Sequence, residues 1–194
     1  MKIIEWIKQV IGIQIKTRPT PKFKSKQIKV HKPKIFLAAD LHIDHKNIIK
    51  YCHRPFRSVQ QMNNRLVSNW NRTVRKNDVV YFLGDLAYGR SSRSTDYWYR
   101  KLNGRKIFIK GNHDRSRRIK MHKKKVLKYK GFNFLLVHSP QQAKYWKGWV
   151  IHGHKHNNNK RYPLINKRSK LINVSCELTK YRPINIDVLM RKIR

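Results

Sequence analysis

Acidic residues are scarce in this 194-residue sequence, which holds 9 aspartates and glutamates against 47 lysines and arginines, a formal net charge of +38. An ordinary cytosolic enzyme balances its surface charge, whereas this chain would repel itself strongly unless a polyanion neutralised it. Nucleic acid, and RNA in particular, is therefore the first expected partner, and an anionic membrane surface is the second. An A/T-rich genome would explain the abundant lysine, isoleucine and asparagine, but it explains neither the many arginines nor the few acids.

Cysteines and long apolar runs are few as well. The two cysteines, Cys52 and Cys176, form no CxxC pair, which indicates small buried residues or free thiols in a reducing, intracellular compartment. A disulfide between them stays an alternative, and cytoplasm is not distinguished from an organelle matrix. No stretch is long and apolar enough to span a membrane. Hydrophobic residues still make up 39% of the chain, which is enough for a core and argues against a wholly disordered protein.

The first part of the chain, residues 1–33, is predicted to be a basic extension that precedes a single domain of residues 34–194. Residues 16–34 are rich in lysine and proline and are typical of a linker. Before them, five apolar residues fall on one face of a possible short helix: Ile3, Ile4, Ile7, Val10 and Ile11. Such a helix could dock on a partner, lie on a membrane surface, belong to a targeting segment or pack on its own domain.

The domain alternates short apolar runs with helical patterns. Strands are predicted at residues 35–39, 79–83, 106–110, 132–137, 149–151, 171–175 and 184–189. Helices are predicted from Ser58, which can cap its own helix, and over about 95–102. Strands that alternate with helices early and pair locally late predict an α/β domain with mixed sheets.

Polar residues stand where these strands end, which is where α/β folds bind their ligands. In chain order they are Asp40, His42, Asp85, Asn112, His138, His154 and His156. On an extended backbone, side chains two residues apart point the same way, so Asp40 with His42, and His154 with His156, could each grip one ion. The carboxylate of Asp85 could bridge two.

The chemical types of these side chains limit the metal. Mixed nitrogen and oxygen ligands without thiolate suit Mn²⁺, Fe or Zn²⁺. Two such ions, about 3.5–4 Å apart, could clamp a phosphoryl group and convert a bridging water to hydroxide for attack on phosphorus. The pattern therefore predicts a site with two divalent metal ions.

The motifs DLH, GD, GNHD, a lone histidine and GHKH occur in that order, and they resemble the motifs of calcineurin-like metallophosphoesterases. The resemblance covers residues 34–190 and is strongest to small bacterial and phage members, through "DLHIDHKNIIKYCHRPF", "YFLGDLAYG" and "INVSCELTKYRPINID". It implies a sandwich of two mixed β-sheets flanked by helices.

The resemblance also implies roles for the residues of these motifs. One metal would take Asp40, His42, Asp85 and His156, and the other Asp85, Asn112, His138 and His154. His113 would contact the phosphate and protonate the leaving oxygen, and Asp114 would orient His113. A structural role is predicted for His45, His53, Arg54 and His152. Packing is also predicted for Trp98, Trp146 and Trp149, with stacking on nucleic-acid bases as the alternative.

The chain departs from the family pattern in its basic lead, in an Asn-rich loop at 157–170 and in a basic insertion at 115–130. We expect the insertion to lie at the mouth of the site and to hold phosphates by charge alone. Its cations are Arg115, Arg117, Arg118, Lys120, Lys123, Lys124, Lys125, Lys128 and Lys130.

Two functions fit the sequence. The first is a metal-dependent phosphoester hydrolase that uses nucleic acid as its substrate or docking surface. The second is a structural RNA-binding component of a ribonucleoprotein such as a ribosome, built on a recruited phosphoesterase fold. The complete ligand set favours the enzyme, and the excess of basic residues favours the assembly protein.

Overall fold

Two five-stranded sheets form the centre of the protein in a computed structural model that describes residues 32–89 and 92–194. The predicted N-terminal helix and nearly all of the predicted linker lie outside these residues. The strands are β1 (Ile35–Ala38), β2 (Val79–Phe82), β3 (Arg105–Ile109), β4 (Met121–His122), β5 (Lys124–Tyr129), β6 (Phe132–Val137), β7 (Trp149–His152), β8 (Ile165–Asn166), β9 (Leu171–Asn173) and β10 (Ile184–Asn185). The helices are α1 (Lys46–Tyr51), α2 (Val59–Thr73), α3 (Thr95–Lys101) and α4 (Ile186–Ile193).

Both sheets are mixed, as expected. The first has the order β10-β1-β2-β3-β4, with β1 to β4 parallel and β10 antiparallel to β1. The second has the order β5-β6-β7-β9-β8, in which β6, β7 and β9 run parallel. The outer strands are antiparallel to their neighbours, β5 to β6 and β8 to β9. Parallel neighbours bring the carboxyl ends of their strands to one edge of a sheet, where the polar motifs follow.

Successive side chains of β1 and of Ala39, which follows it, point to opposite faces of the first sheet, as in any strand. They therefore pack in two different layers of the core. Phe36 and Ala38 pack with the residues of α1, α2 and α3, whereas Leu37 and Ala39 pack with the second sheet and α4. A small third cluster covers the outer face of the second sheet. The layers are therefore helices, first sheet and second sheet, and the predicted fold class is confirmed.

Helix α2 begins as predicted. The hydroxyl of Ser58 accepts a hydrogen bond from the backbone N–H of Gln61 at 3.1 Å, which satisfies one of the free amides of the first turn. Its buried residues Met62, Leu66 and Trp70 recur at helical spacing and face the first sheet. Among the described residues, no helix is long and apolar enough to cross a membrane.

Two predicted segments differ from the structure. The apolar run 184–189 is strand only at Ile184–Asn185 and then becomes α4, because Asn185 caps a helix that buries Ile186, Leu189, Met190 and Ile193 on one face. The basic segment 115–130, to which the sequence pattern assigned no strand, contains β4 and β5, and Leu127 is buried in the core between the sheets. Both cysteines are buried and free.

Candidate metal centre

The seven predicted ligands gather at one edge of the two sheets, in the loops after β1, β2, β3, β6 and β7. Six of them form two groups of potential ligand atoms, each group within 4.8 Å: Asp40, His42 and His156 in one, and Asp85, His138 and His154 in the other. The side-chain amide nitrogen of Asn112 lies 3.3 Å from Nδ1 of His154 and brings Asn112 beside the second group. This division agrees with the one that the motifs imply.

Each carboxylate of the centre has one oxygen held by the fold and the other directed at the pocket. Oδ2 of Asp40 accepts hydrogen bonds from the backbone N–H of His154 at 2.8 Å and from the hydroxyl of Ser175 at 2.7 Å. Oδ1 of Asp85 accepts one from the backbone N–H of His113 at 2.9 Å. The remaining oxygens are therefore oriented but uncommitted.

The free oxygen of Asp85 lies between the two groups. Its Oδ2 is 3.5 Å from Nε2 of His42 and 3.3 Å from Nε2 of His138. His138 is oriented by its other ring nitrogen, Nδ1, which lies 2.7 Å from the carbonyl oxygen of Leu83. Oδ2 of Asp85 thus lies close to side chains of both groups.

Several polar atoms in this pocket are buried and lack a hydrogen-bond partner among the described residues. They include Asp40 Oδ1, His42 Nε2 and His138 Nε2. Burial raises the pKa of Asp40 and lowers the pKa of His42 well below its ordinary value, so these groups are costly to leave unpaired. Divalent cations would satisfy neutral imidazoles and carboxylate oxygens together, so the residues fit such ions.

The backbone that presents these ligands differs from the expected extended form. Five candidate ligands adopt left-handed φ angles: Asp40 at 57°, His42 at 47°, Asp85 at 60°, His154 at 67° and His156 at 45°. Such conformations cost about 1–3 kcal/mol each for a residue other than glycine and are concentrated at functional sites. The extended geometry predicted for residues 40–42 and 154–156 is wrong, although both pairs of side chains still reach one pocket.

Two motif glycines are explained by how closely carboxylates approach them. A Cβ on Gly111 would overlap Oδ1 of Asp85, and a Cβ on Gly153 would overlap Oδ2 of Asp40. The glycines of GNHD and GHKH therefore leave room for the two acids of the centre.

His113 and Asp114 differ in their relation to the pocket. A ring nitrogen of His113 lies within 4.8 Å of potential ligand atoms of His42 and Asp85, so His113 belongs to the same pocket. The carboxylate of Asp114 is fully buried and accepts hydrogen bonds from the backbone amides of Asp85, Leu86 and Gly111 at 2.8–3.0 Å. The predicted contact that orients His113 is therefore wrong, because both oxygens of Asp114 hold backbone loops instead.

Arg54 and Glu177 form hydrogen bonds that hold residues of the candidate metal centre in place. The guanidinium of Arg54 donates to the carbonyl oxygens of Asp40 and Leu41 at 2.8 and 2.7 Å, and to Oε1 of Glu177 at 2.7 Å. Oε1 of Glu177 also lies 3.1 Å from Nδ1 of His156. Burial alone would raise the pKa of Glu177, but the hydrogen bond with His156 and the charge of Arg54 lower it to about 2. A carboxylate on Nδ1 leaves Nε2 of His156 available to a metal.

Sequence reasoning gave Arg54 a structural role, as found, but missed Glu177 and Ser175. Both follow β9 and lie in the stretch "INVSCELTKYRPINID", which resembles the family but was not interpreted residue by residue. The shortage of acids was the available signal for Glu177, since each of so few carboxylates requires an explanation.

One residue of the basic segment lies next to the pocket of the candidate ligands. Arg115 donates to the backbone carbonyls of Asn112 and Asp114 at 3.1 and 3.0 Å and lines a cavity together with His113. Lys124 and Lys125 border a different cavity beside Tyr145 and Trp146. The remaining predicted contacts are exposed and do not line the pocket of the candidate ligands: Arg117, Arg118, Lys120 and Lys123.

Comparison with known proteins gives matches over most of the domain. The family model described as calcineurin-like phosphoesterase matches residues 33–190. An uncharacterized protein of Methanocaldococcus jannaschii is 43% identical over 164 residues, which are 82% of this chain and 91% of that protein. The gene 66 protein of Mycobacterium phage L5 is 32% identical over 81 residues, 41% of this chain and 39% of the phage protein.

The fold has a counterpart among solved structures. A crystal structure of a protein of unknown function from Aquifex aeolicus matches with a TM-score of 0.65 and 24% sequence identity. The match covers 84% of this chain and 100% of the other. It supports the same arrangement of sheets and helices.

Proposed function

Because the chain belongs to the calcineurin-like phosphoesterase family, we propose that it is an active phosphoester hydrolase with two divalent cations at the candidate metal centre. One cation would be held by Asp40, His42, Asp85 and His156, and the other by Asp85, Asn112, His138 and His154. The observation that carries this proposal is one buried pocket in which the free oxygen of Asp85 lies beside unpartnered ring nitrogens of His42 and His138, and which also holds the unpartnered Oδ1 of Asp40.

The protein's own residues have defined tasks in this reaction. When bound, the two cations activate a water and offset the charge that builds on the phosphoryl group. The activated water would lose a proton to solvent as its oxygen joins phosphorus, the ester P–O bond would break, and the leaving oxygen would take a proton from the ring of His113, which solvent then restores. Asp114, Arg54 and Glu177 keep the ligand loops in place through the backbone and side-chain contacts described above. Mn²⁺, Fe or Zn²⁺ suit the donor set.

The surface charge supports nucleic acid as the partner of this hydrolase. Among the described lysines and arginines, only Arg54 and Lys130 form an ion pair with an acid. The other described cations have no carboxylate of the described residues within salt-bridge distance. The phosphates of a polyanion would supply the negative charge that these cations lack.

The same observation favours a second candidate function, a structural component of a ribonucleoprotein that keeps the phosphoesterase fold. A free enzyme would be soluble alone and would turn over a phosphodiester with Mn²⁺. An assembly component would co-sediment with RNA particles and aggregate without them. Sedimentation of the native chain with and without ribonuclease treatment separates the two.

Asp85→Asn tests the proposed function, because it weakens the one ligand that both cations share. We expect loss of bound metal, measured by elemental analysis, and a fall in phosphodiester hydrolysis of about 1,000-fold or more. RNA affinity should stay unchanged. Asp96→Asn, which removes the same charge from the first turn of α3, is the control and should retain metal and activity. Hydrolysis by Asp85→Asn at the wild-type rate would refute the assignment.

A further inference from the structure

Aromatic side chains are exposed at the mouth of the metal pocket. Of the large hydrophobic residues that are exposed among the described residues, Tyr51 at 61% and Tyr88 at 43% both line this pocket, whose volume is about 460 Å³. Exposed tyrosines are ordinarily unremarkable when scattered singly. Two on the rim of one site indicate a ligand with a flat apolar surface.

The rings of these tyrosines contact the rings of nearby histidines. The ring of His45 meets Tyr51 at 6.2 Å and Tyr88 at 4.8 Å between centroids, edge to face in both cases. The ring of Tyr88 lies 4.0 Å from that of His113, tilted by 42°. Tyr88 therefore stands beside the residue to which we assign protonation of the leaving oxygen, and a leaving group must pass next to it.

A cationic cavity adjoins the same two residues. It has a volume of about 370 Å³, shares Tyr88 and His113 with the metal pocket, and is lined further by Arg93 and Arg115. Arginine guanidinium groups are suited to phosphate oxygens. The order along the surface is thus a phosphate site at the metals, an aromatic rim and a second site for an anion.

We propose that this surface takes single-stranded nucleic acid, with a base on Tyr51 and Tyr88 and the neighbouring phosphate on Arg93 and Arg115. The proposal rests on the proposed function and names its substrate class. Alternating aromatic and cationic contacts are how proteins follow a single strand without reading its sequence. A duplex would keep its bases stacked and away from the tyrosines.

Binding without catalysis tests the base contact. The probe is a fluorescent oligoribonucleotide on the order of ten nucleotides, compared with an abasic strand of equal phosphate number, in EDTA, by anisotropy. We expect the wild type to prefer the strand with bases by about ten-fold or more, and Tyr51→Ala/Tyr88→Ala to lose this preference. Tyr51→Phe/Tyr88→Phe should retain it, because the ring face remains.

Matched variants identify the cause. Tyr145→Ala removes a tyrosine that is 87% exposed and lines a different cavity, and it should leave the base preference unchanged. Arg93→Gln should weaken both strands alike, since it contacts phosphate. Equal affinity of the wild type for the two strands, or an unchanged preference in Tyr51→Ala/Tyr88→Ala, would overturn the proposal.

A hydrolysis assay distinguishes failure of the base contact from failure of the proposed hydrolase function. A wild type that cleaves base-containing and abasic strands equally with Mn²⁺ would be a phosphoesterase without the base contact. A wild type that cleaves neither strand with Mn²⁺, Fe²⁺ or Zn²⁺, yet binds the strand with bases more tightly, would refute the hydrolase and keep the contact.

Discussion

The interior and the surface of the described domain use charge in opposite ways. Five of its eight acidic side chains are buried: Asp40, Asp78, Asp85, Asp114 and Glu177. Arg54 is the one buried residue among the described lysines and arginines. These five acids are therefore kept where they accept hydrogen bonds or lie at the metal pocket, and the surface of the described domain is left mostly cationic.

One ion pair lies in the interior and another lies at the surface. Arg54 and Glu177 are 2.7 Å apart, with side chains 0% and 1% exposed, whereas Lys130 and Asp187 are 2.6 Å apart, with side chains 52% and 41% exposed. The distances are alike, but water screens the second pair and not the first. Proximity alone therefore does not say which charges the fold depends on.

The largest expected effect comes from breaking the interior pair. Arg54→Met would leave Glu177 buried without its cation and would release the carbonyl oxygens of Asp40 and Leu41. We expect the free energy of unfolding, measured in urea, to fall by about 3–5 kcal/mol. Adding Glu177→Gln should restore part of the loss, because the uncompensated charge is then removed.

Lys130→Met breaks the surface pair and is the control for this comparison. Its urea midpoint should match that of the wild type within error, since the lysine is exposed. Equal destabilisation by Arg54→Met and Lys130→Met would mean that burial does not distinguish the two pairs, and the contrast drawn above would be lost.

Strands β1, β2 and β6 were predictable because each is a short apolar run. The order of the motifs indicated which side chains gather in one pocket. The run 184–189 was ambiguous, since Ile184, Ile186 and Val188 alternate as in a strand, whereas Ile186, Leu189 and Met190 recur as in a helix. The cap at Asn185 decides for the helix, and its signal is only one residue long.

Details of the site depend on tertiary contacts that no motif specifies. Asp40 and His154 adopt left-handed conformations where other loops hold their backbone amides. The backbone N–H of Asp40 donates to the carbonyl oxygen of Gly84, and the backbone N–H of His154 donates to Oδ2 of Asp40. The contact of Glu177 with His156 joins residues 21 positions apart in sequence. Such contacts require the fold itself.

A smaller effect is expected from Gly153→Ala, which places a methyl group against the carboxylate of Asp40. The carboxylate must therefore shift, and metal affinity, measured by calorimetry, should fall about 10- to 100-fold.

Gly131→Ala is the matched change away from the metal centre. Gly131 has a φ of 81° and nothing within 4 Å of an added Cβ, so its substitution should cost about 1 kcal/mol of stability and leave metal affinity unchanged. Reduced metal affinity in both variants would point to general destabilisation instead of a local clash.

The smallest effect is expected at the surface, where charges act singly and additively. Arg117→Gln/Arg118→Gln/Lys120→Gln removes three exposed cations of the basic segment. If these three contact phosphates, the slope of log affinity against log salt for single-stranded RNA should become shallower by about 2. Lys160→Gln/Lys167→Gln/Arg168→Gln removes the same charge from exposed positions of another loop and should change the slope less. An equal change in both triple variants would show that net charge alone binds the strand, because a defined contact surface loses affinity only where its own cations are removed.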